Sequence, residues 1–148
     1  MRTEKTVYLF KDLIEFFDDL NNTPGDSINS KLRLYPMDYS YEDGTLELVF
    51  RVTPFMINTL NVCHGGILTT AMDMTMGYLA YAMDEHKSAP TSEINVHFLN
   101  PAFLGDMLVS KAWCKKVGST LVSLTCEIRN IDTKRLIAHG SATFCILK

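Results

Sequence analysis

Between Gly65 and Met83 the chain runs for nineteen residues with a single charge, Asp73, and no other feature restricts the fold as strongly. A segment this apolar has to be hidden from water, either in a bilayer or inside a protein. A membrane span would place the Asp73 carboxylate near mid-bilayer at a cost of about 2.5–3.5 kcal/mol. Three glycines and three threonines dilute the hydrophobicity further. The stretch is therefore expected to form a helix over 64–83 buried in a soluble protein, and the rest of the chain must supply its wrapping.

Strands supply it. After an Asp43-Gly44 turn, Leu46, Leu48, Phe50 and Val52 alternate with Glu47, Val49, Arg51 and Thr53, as in a strand with one buried face. Residues 32–41 are irregular and contain Pro36, which suggests an edge strand or a bulge. Downstream, Ile94, Val96 and Phe98 alternate with polar residues, a second strand fills 107–117, and Val122, Leu124, Cys126 and Ile128 mark a third. Leu136, Ala138, Ala142, Phe144 and Ile146 line the last. Short turns between them predict a four-strand antiparallel meander. At the start, Val7, Leu9, Phe10, Leu13, Ile14, Phe16, Phe17 and Leu20 recur at helical spacing, so an amphipathic helix is expected within 1–22. It should end in the Asn21-Asn22-Thr23-Pro24-Gly25-Asp26 run. The 148 residues thus read as one α+β domain, with about six strands wrapped around one long helix.

Charge and cysteines narrow the function. Net charge is −3, which argues against a basic nucleic-acid-binding surface, although the last third (91–148) carries +3. Cys63, Cys114, Cys126 and Cys145 form no CxxC pair and read as buried thiols in a reducing compartment. No secretory signal is evident, so a cytoplasmic location is expected, without membrane or nucleic-acid partners. Asp84, Glu85 and His86 lack metal-ligand spacing, and there is no GxSxG.

Chemistry concentrates in Asn58-Thr59-Leu60-Asn61-Val62-Cys63-His64-Gly65-Gly66-Ile67 and the following Asp73. Two glycines where a loop enters a helix leave backbone N–H groups unpaired and open to close approach. Those groups sit at the positive end of the helix dipole, suited to an oxyanion. A lone carboxylate within an apolar helix is costly to bury without a purpose, which marks Asp73 as a functional candidate; a structural carboxylate is the alternative. His64 reads equally as a loop-fixing side chain or a substrate contact. Five methionines between Met56 and Met83 suit an adaptable acyl lining or ordinary core filling.

The pattern Asn-x5-His-Gly-Gly with Asp seven residues on resembles the hot-dog-fold acyl-CoA thioesterases, most closely the PaaI-like and THEM-type branch. The resemblance extends over roughly 45–147, including Asn-Pro-Ala-Phe-Leu-Gly-Asp at 100–106 and Gly-Ser-Thr at 118–120. It implies thioester hydrolysis with no cofactor beyond the coenzyme A of the substrate. In that scheme Asp73 is general base or nucleophile, the Gly65 N–H polarises the carbonyl assisted by Asn58, and His64 shapes the loop. Thr91 falls where a hydroxyl, more often serine, orients water.

Helix geometry then adds a constraint of its own. Gly65 and Asp73 are eight residues apart, about 12 Å along one helix axis. A carbonyl held at Gly65 is out of reach of Asp73 in the same chain, so Gly65 and Asn58 of one copy must work with Asp73 and Thr91 of another. An obligate homodimer is expected, and the resemblance implies dimers often paired into tetramers. Thr69, Thr70, Asp73, Met76 and Gly77, joined by Gly66, share a helix face that suits a helix seam with a substrate channel. Lys115 and Lys116, with Arg129, Lys134 and Arg135, are candidates for the coenzyme A phosphates, and Gly118 and Ser119 for the neighbouring contact. Two alternatives stay open: a non-catalytic hot-dog acyl-CoA or lipid-binding protein, and a hot-dog hydratase or dehydratase.

Overall fold

The structure, a computed structural model, describes residues 2–23, 25–85 and 89–147, so Pro24 of the linker run and His86 lie outside the described residues. The apolar stretch forms helix α3 (Gly65–Met83), lying on one face of a six-stranded antiparallel sheet. The strands are β1 (Tyr35–Ser40), β2 (Thr45–Arg51), β3 (Thr91–Phe98), β4 (Met107–Val117), β5 (Leu121–Asn130) and β6 (Leu136–Cys145). The period-2 pattern sends Leu46, Leu48, Phe50, Leu108, Ala112, Val122, Leu124, Ile128 and Phe144 to the α3 side. There they meet Leu68, Met72, Met76 and Leu79, all buried. Each such large side chain contributes about 1.5–3 kcal/mol by leaving water. The sheet-on-helix arrangement is the hot-dog fold that the sequence implied. Among the described residues no helix is long and apolar enough to cross a membrane.

One polar chain runs through this core. Thr75 Oγ1 lies 2.7 Å from both Ala71 O and Ser110 Oγ, and Ser110 Oγ lies 3.3 Å from Cys126 Sγ. The buried hydroxyls of Thr75 and Ser110 thereby each have a partner.

The expected four-strand meander is corrected to three. Strand order is β1-β2-β4-β5-β6-β3, so β3 crosses to the far edge beside β6. The connection at 99–106 was read as a turn, yet eight residues reach up to about 26 Å when extended. Crossing three strand spacings needs only about 14 Å. Leu99 N and Asn100 N donate to Ile137 O (2.9 and 3.2 Å), and Asn100 Nδ2 donates to Leu136 O (2.7 Å). These bonds hold the end of β3 against β6. Gly140 allows the approach, since a Cβ there would sit 2.1 Å from Asn95 O.

At the other edge, the Pro36 irregularity is both edge strand and bulge, with the register shifting between Pro36 and Asp38. The N-terminal segment is helix α1 (Glu4–Asn22). A short helix α2 (Ile28–Leu32) follows, which the periodicity did not reveal; Ser27 caps it, accepting from Ser30 N at 3.2 Å. Five residues are too few to show a 3.6-residue period.

Candidate active site

The site is built along α3, beginning with the loop that feeds it. Asn58 N donates to Val62 O (2.9 Å) and Asn61 N to Asn58 O (3.0 Å), while Asn58 Oδ1 accepts from Leu60 N (2.9 Å) and Val62 N (3.3 Å). Asn61 takes the left-handed conformation (φ 60°), which asparagine tolerates. Cys63 N donates to Ala102 O and His64 N to Met56 O, both at 2.7 Å. The loop is therefore closed by its own hydrogen bonds. The Asn58 carbonyl is consumed in holding it, and its Nδ2 has no partner among the described residues.

His64 caps α3, with Nδ1 accepting from Gly66 N at 2.9 Å. The His64 carbonyl accepts from Ile67 N (2.9 Å) and Leu68 N (3.2 Å). Of the two readings of His64, the loop-fixing one describes this geometry. The Gly65 N–H has no partner among the described residues, so the first turn presents one unbonded donor at the positive helix end. The half-exposed Phe98 ring covers Gly65: a Cβ there would lie 3.2 Å from Phe98 Cζ.

Two turns along the helix, Thr91 Oγ1 donates to Asp73 Oδ1 at 2.6 Å. This is a short hydrogen bond between a hydroxyl and a side-chain carboxyl oxygen. Thr91 opens β3, whose pairing with β6 sets it opposite Phe144. Asp73 and Thr91 line a groove of about 840 Å³ between α3 and α1. The structure thus brings Asp73 and Thr91 together and keeps Gly65 about 12 Å away along the helix axis, with Asn58 in the loop before it.

The remaining sequence candidates divide. Gly66, Thr70, Asp73 and Gly77 form a partly exposed stripe on α3, with Thr70 Oγ1 donating to Gly66 O at 2.8 Å and Thr69 Oγ1 to Gly65 O at 2.9 Å. Met76 is corrected out of that stripe: it is fully buried in the core. Of the five methionines in 56–83 only Met74 lines the groove, and Met56, Met72 and Met76 are core filling. Gly77 lines the groove, and a Cβ there would press on Phe144 at 3.2 Å.

Lys115, Lys116, Gly118 and Ser119 sit at the β4–β5 hairpin, outside the groove lining. Arg129 is engaged by Glu127 (3.2 Å) and by Lys134 O (3.2 Å). Burial pushes the Cys63 thiol up to about 11, so it is protonated at neutral pH and unsuited to act as a nucleophile. Among the described residues no cluster of metal-ligating side chains is found.

Sequence reasoning missed the opposite wall of the groove. Leu9, Asp12, Leu13 and Phe16 of α1 and Asn29 of α2 line the groove along with Asp73, and Tyr78 extends the α3 side. Leu9, Leu13 and Phe16 were visible as part of an apolar helix face, but nothing in it said which element the face would meet, and Asp12 was expected away from that face.

A model of the thioesterase superfamily matches residues 60–137. Acyl-coenzyme A thioesterase 13 of Mus musculus is 28% identical over 86 residues, covering 58% of this chain and 61% of that protein. The match spans about three fifths of the first curated relatives' length. The PaaI protein from the phenylacetic acid degradation operon of E. coli superposes with a TM-score of 0.81 at 20% identity, covering 97% of this chain and 96% of that one. A Streptococcus mutans protein bound to acetyl CoA superposes with a TM-score of 0.70 at 22% identity, covering 77% and 88%. At these identities the structural likenesses speak for the fold.

Proposed function

This chain belongs to the thioesterase superfamily, and from that premise we propose that it hydrolyses acyl-CoA thioesters at sites shared between two copies of itself. In each site Asp73 and Thr91 of one copy act on a carbonyl held by Gly65 and Asn58 of the other. The observation that carries this reading is the division of α3 into an unbonded donor at Gly65 and a hydroxyl-held carboxylate at Asp73, too far apart to meet on one substrate carbon.

The chemistry follows from the groups. Water adds to the thioester carbonyl while Asp73 accepts its proton. The oxyanion that forms takes hydrogen bonds from the Gly65 N–H and the Asn58 Nδ2. Collapse breaks the C–S bond, the acid leaves, and the coenzyme A thiolate picks up a proton. Thr91 occupies Oδ1 and so directs Oδ2 toward the reacting water. Direct attack by Asp73, giving a mixed anhydride that water then opens, uses the same atoms. His64 acts through the loop, since its Nδ1 is committed to Gly66 N. Support also comes from relatives named as acyl-coenzyme A thioesterases and from the acetyl CoA held by the S. mutans neighbour.

The test is thiol release across an acyl-CoA panel with wild type and Asp73→Ala. Release by wild type and its loss in Asp73→Ala support hydrolysis. Binding of acyl-CoA without release by wild type would make this a binding protein instead.

A further inference from the structure

We propose that α1 is the acyl-selecting wall of the site, with Leu13 and Phe16, backed by Tyr78, setting the size of acyl group that reaches Asp73. This inference rests on the proposed thioesterase reading and deepens it. Four observations carry it. First, the groove that contains Asp73 and Thr91 is lined from the α1 side by a single helical face, apolar at Leu9, Leu13 and Phe16 and charged at Asp12. An acyl group whose carbonyl lies at Asp73 has this apolar trough beside it, and apolar walls with few polar groups are what such ligands require.

Second, the wall is built, not merely adjacent. Phe16 packs against Phe17 (centroids 5.4 Å, 86°) and Tyr78 (5.4 Å, 59°), and Phe17 packs against Tyr78 (4.9 Å, 72°). Phe17 is fully buried and anchors the other two rings. Asn29 Nδ2 donates to the Tyr78 hydroxyl at 3.3 Å. Five residues separate Tyr78 from Asp73, which places its ring base about 7.5 Å along α3 from the carboxylate.

Third, α1 is tied at both ends. Near its start, Thr6 Oγ1 accepts from Tyr41 N at 2.9 Å and donates to Glu42, which Thr3 also contacts. At its end, Asn21 Nδ2 donates to Leu34 O at 2.9 Å, and Arg33 Nη1 donates to Asn21 O at 3.2 Å. A wall held this way discriminates by size, because a larger group cannot push it aside cheaply.

Fourth, α1 lies outside the segment that the superfamily model matches, whereas Asp73 and Thr91 lie inside it. The wall that α1 contributes is thus built from residues beyond that matched segment.

The experiment compares kcat/KM for butanoyl-, octanoyl-, dodecanoyl- and palmitoyl-CoA in wild type, Phe16→Ala and Leu13→Trp, with circular dichroism confirming that each variant is folded. Phe16 is about half exposed, so its truncation leaves the core intact. The Phe16→Ala variant should raise the palmitoyl-to-octanoyl ratio by about tenfold or more, and Leu13→Trp should lower it by a similar factor, the scale set by a methylene or two in an apolar pocket. Ratios unchanged in both folded variants, with wild type active, would overturn the α1 wall while leaving the thioesterase reading in place. A wild type that releases thiol from none of the four would overturn that reading, and the wall with it.

Discussion

The two ends of the α3 site are built in opposite ways. At the N-terminal turn the reactive group is a backbone amide, positioned by backbone bonds (Asn58 N on Val62 O, His64 N on Met56 O, Cys63 N on Ala102 O) together with the Asn58 and His64 side chains. At Asp73 the reactive group is a side chain, and one hydroxyl, from Thr91, orients it. The two halves are vulnerable in different places. At Gly65 the turn should tolerate a small side chain but not loss of its N–H. The carboxylate should tolerate little change at all, and should feel the loss of its Thr91 partner.

Substitutions can break that contrast in order of expected size. Asp73→Asn keeps the shape and removes the basic oxygen, so turnover should fall by about a thousandfold, within the range for a lost general base. Its fold and association, followed by circular dichroism and sedimentation, should stay as in wild type.

At the other end, Gly65→Pro deletes the donor at the first helical position, where proline is well accepted. His64 already has φ −59° and ψ 132°, the extended conformation favoured before proline. Activity should drop about a hundredfold, as for a missing oxyanion donor. Gly65→Ala crowds Phe98 in the same way but retains the N–H, and it should keep most of the rate. Equal losses in the two variants would mean that Phe98 packing, not the amide, matters.

Thr91→Ala should cost about tenfold in kcat, on the low side of what one positioned hydrogen bond contributes. Thr91→Ser should restore most of it, because the hydroxyl and not the methyl makes the contact. Smallest of all, His64→Ala uncaps Gly66 N and should lower stability by about 1 kcal/mol, read from denaturant melts, with only a few-fold change in rate.

Much of this arrangement was legible in the chain because it is local. The limits of α3 followed from the Gly65-Gly66 pair at the loop-to-helix entry and from the charges that resume at Asp84. The isolation of Asp73 was visible as one acid in nineteen residues. Strand faces followed from alternation, and the Pro36 bulge from a residue that cannot donate to a ladder.

What stayed hidden is what depends on long-range pairing. The 99–106 segment has the composition of a turn and the length of a crossover, and only the bonds to Leu136 and Ile137 decide between them. Met76 and Gly77 are adjacent on the helix, yet burial separates them because the sheet covers one side of α3 and not the other. The meeting of Asp73 with the α1 face joins residues some sixty positions apart, which no periodicity reports.

The central claim, one site from two chains, is tested most directly by mixing. Asp73→Asn and Gly65→Pro should each be nearly inactive alone. Unfolded and refolded together in equal amounts, they form heterodimers in which one site joins an intact Gly65 turn to an intact Asp73. With half of the dimers mixed and one of two sites working in each, activity should return to roughly one quarter of wild type. A mixture that stays as inactive as its parents, while sedimentation and mass spectrometry show the heterodimer present, would contradict the account.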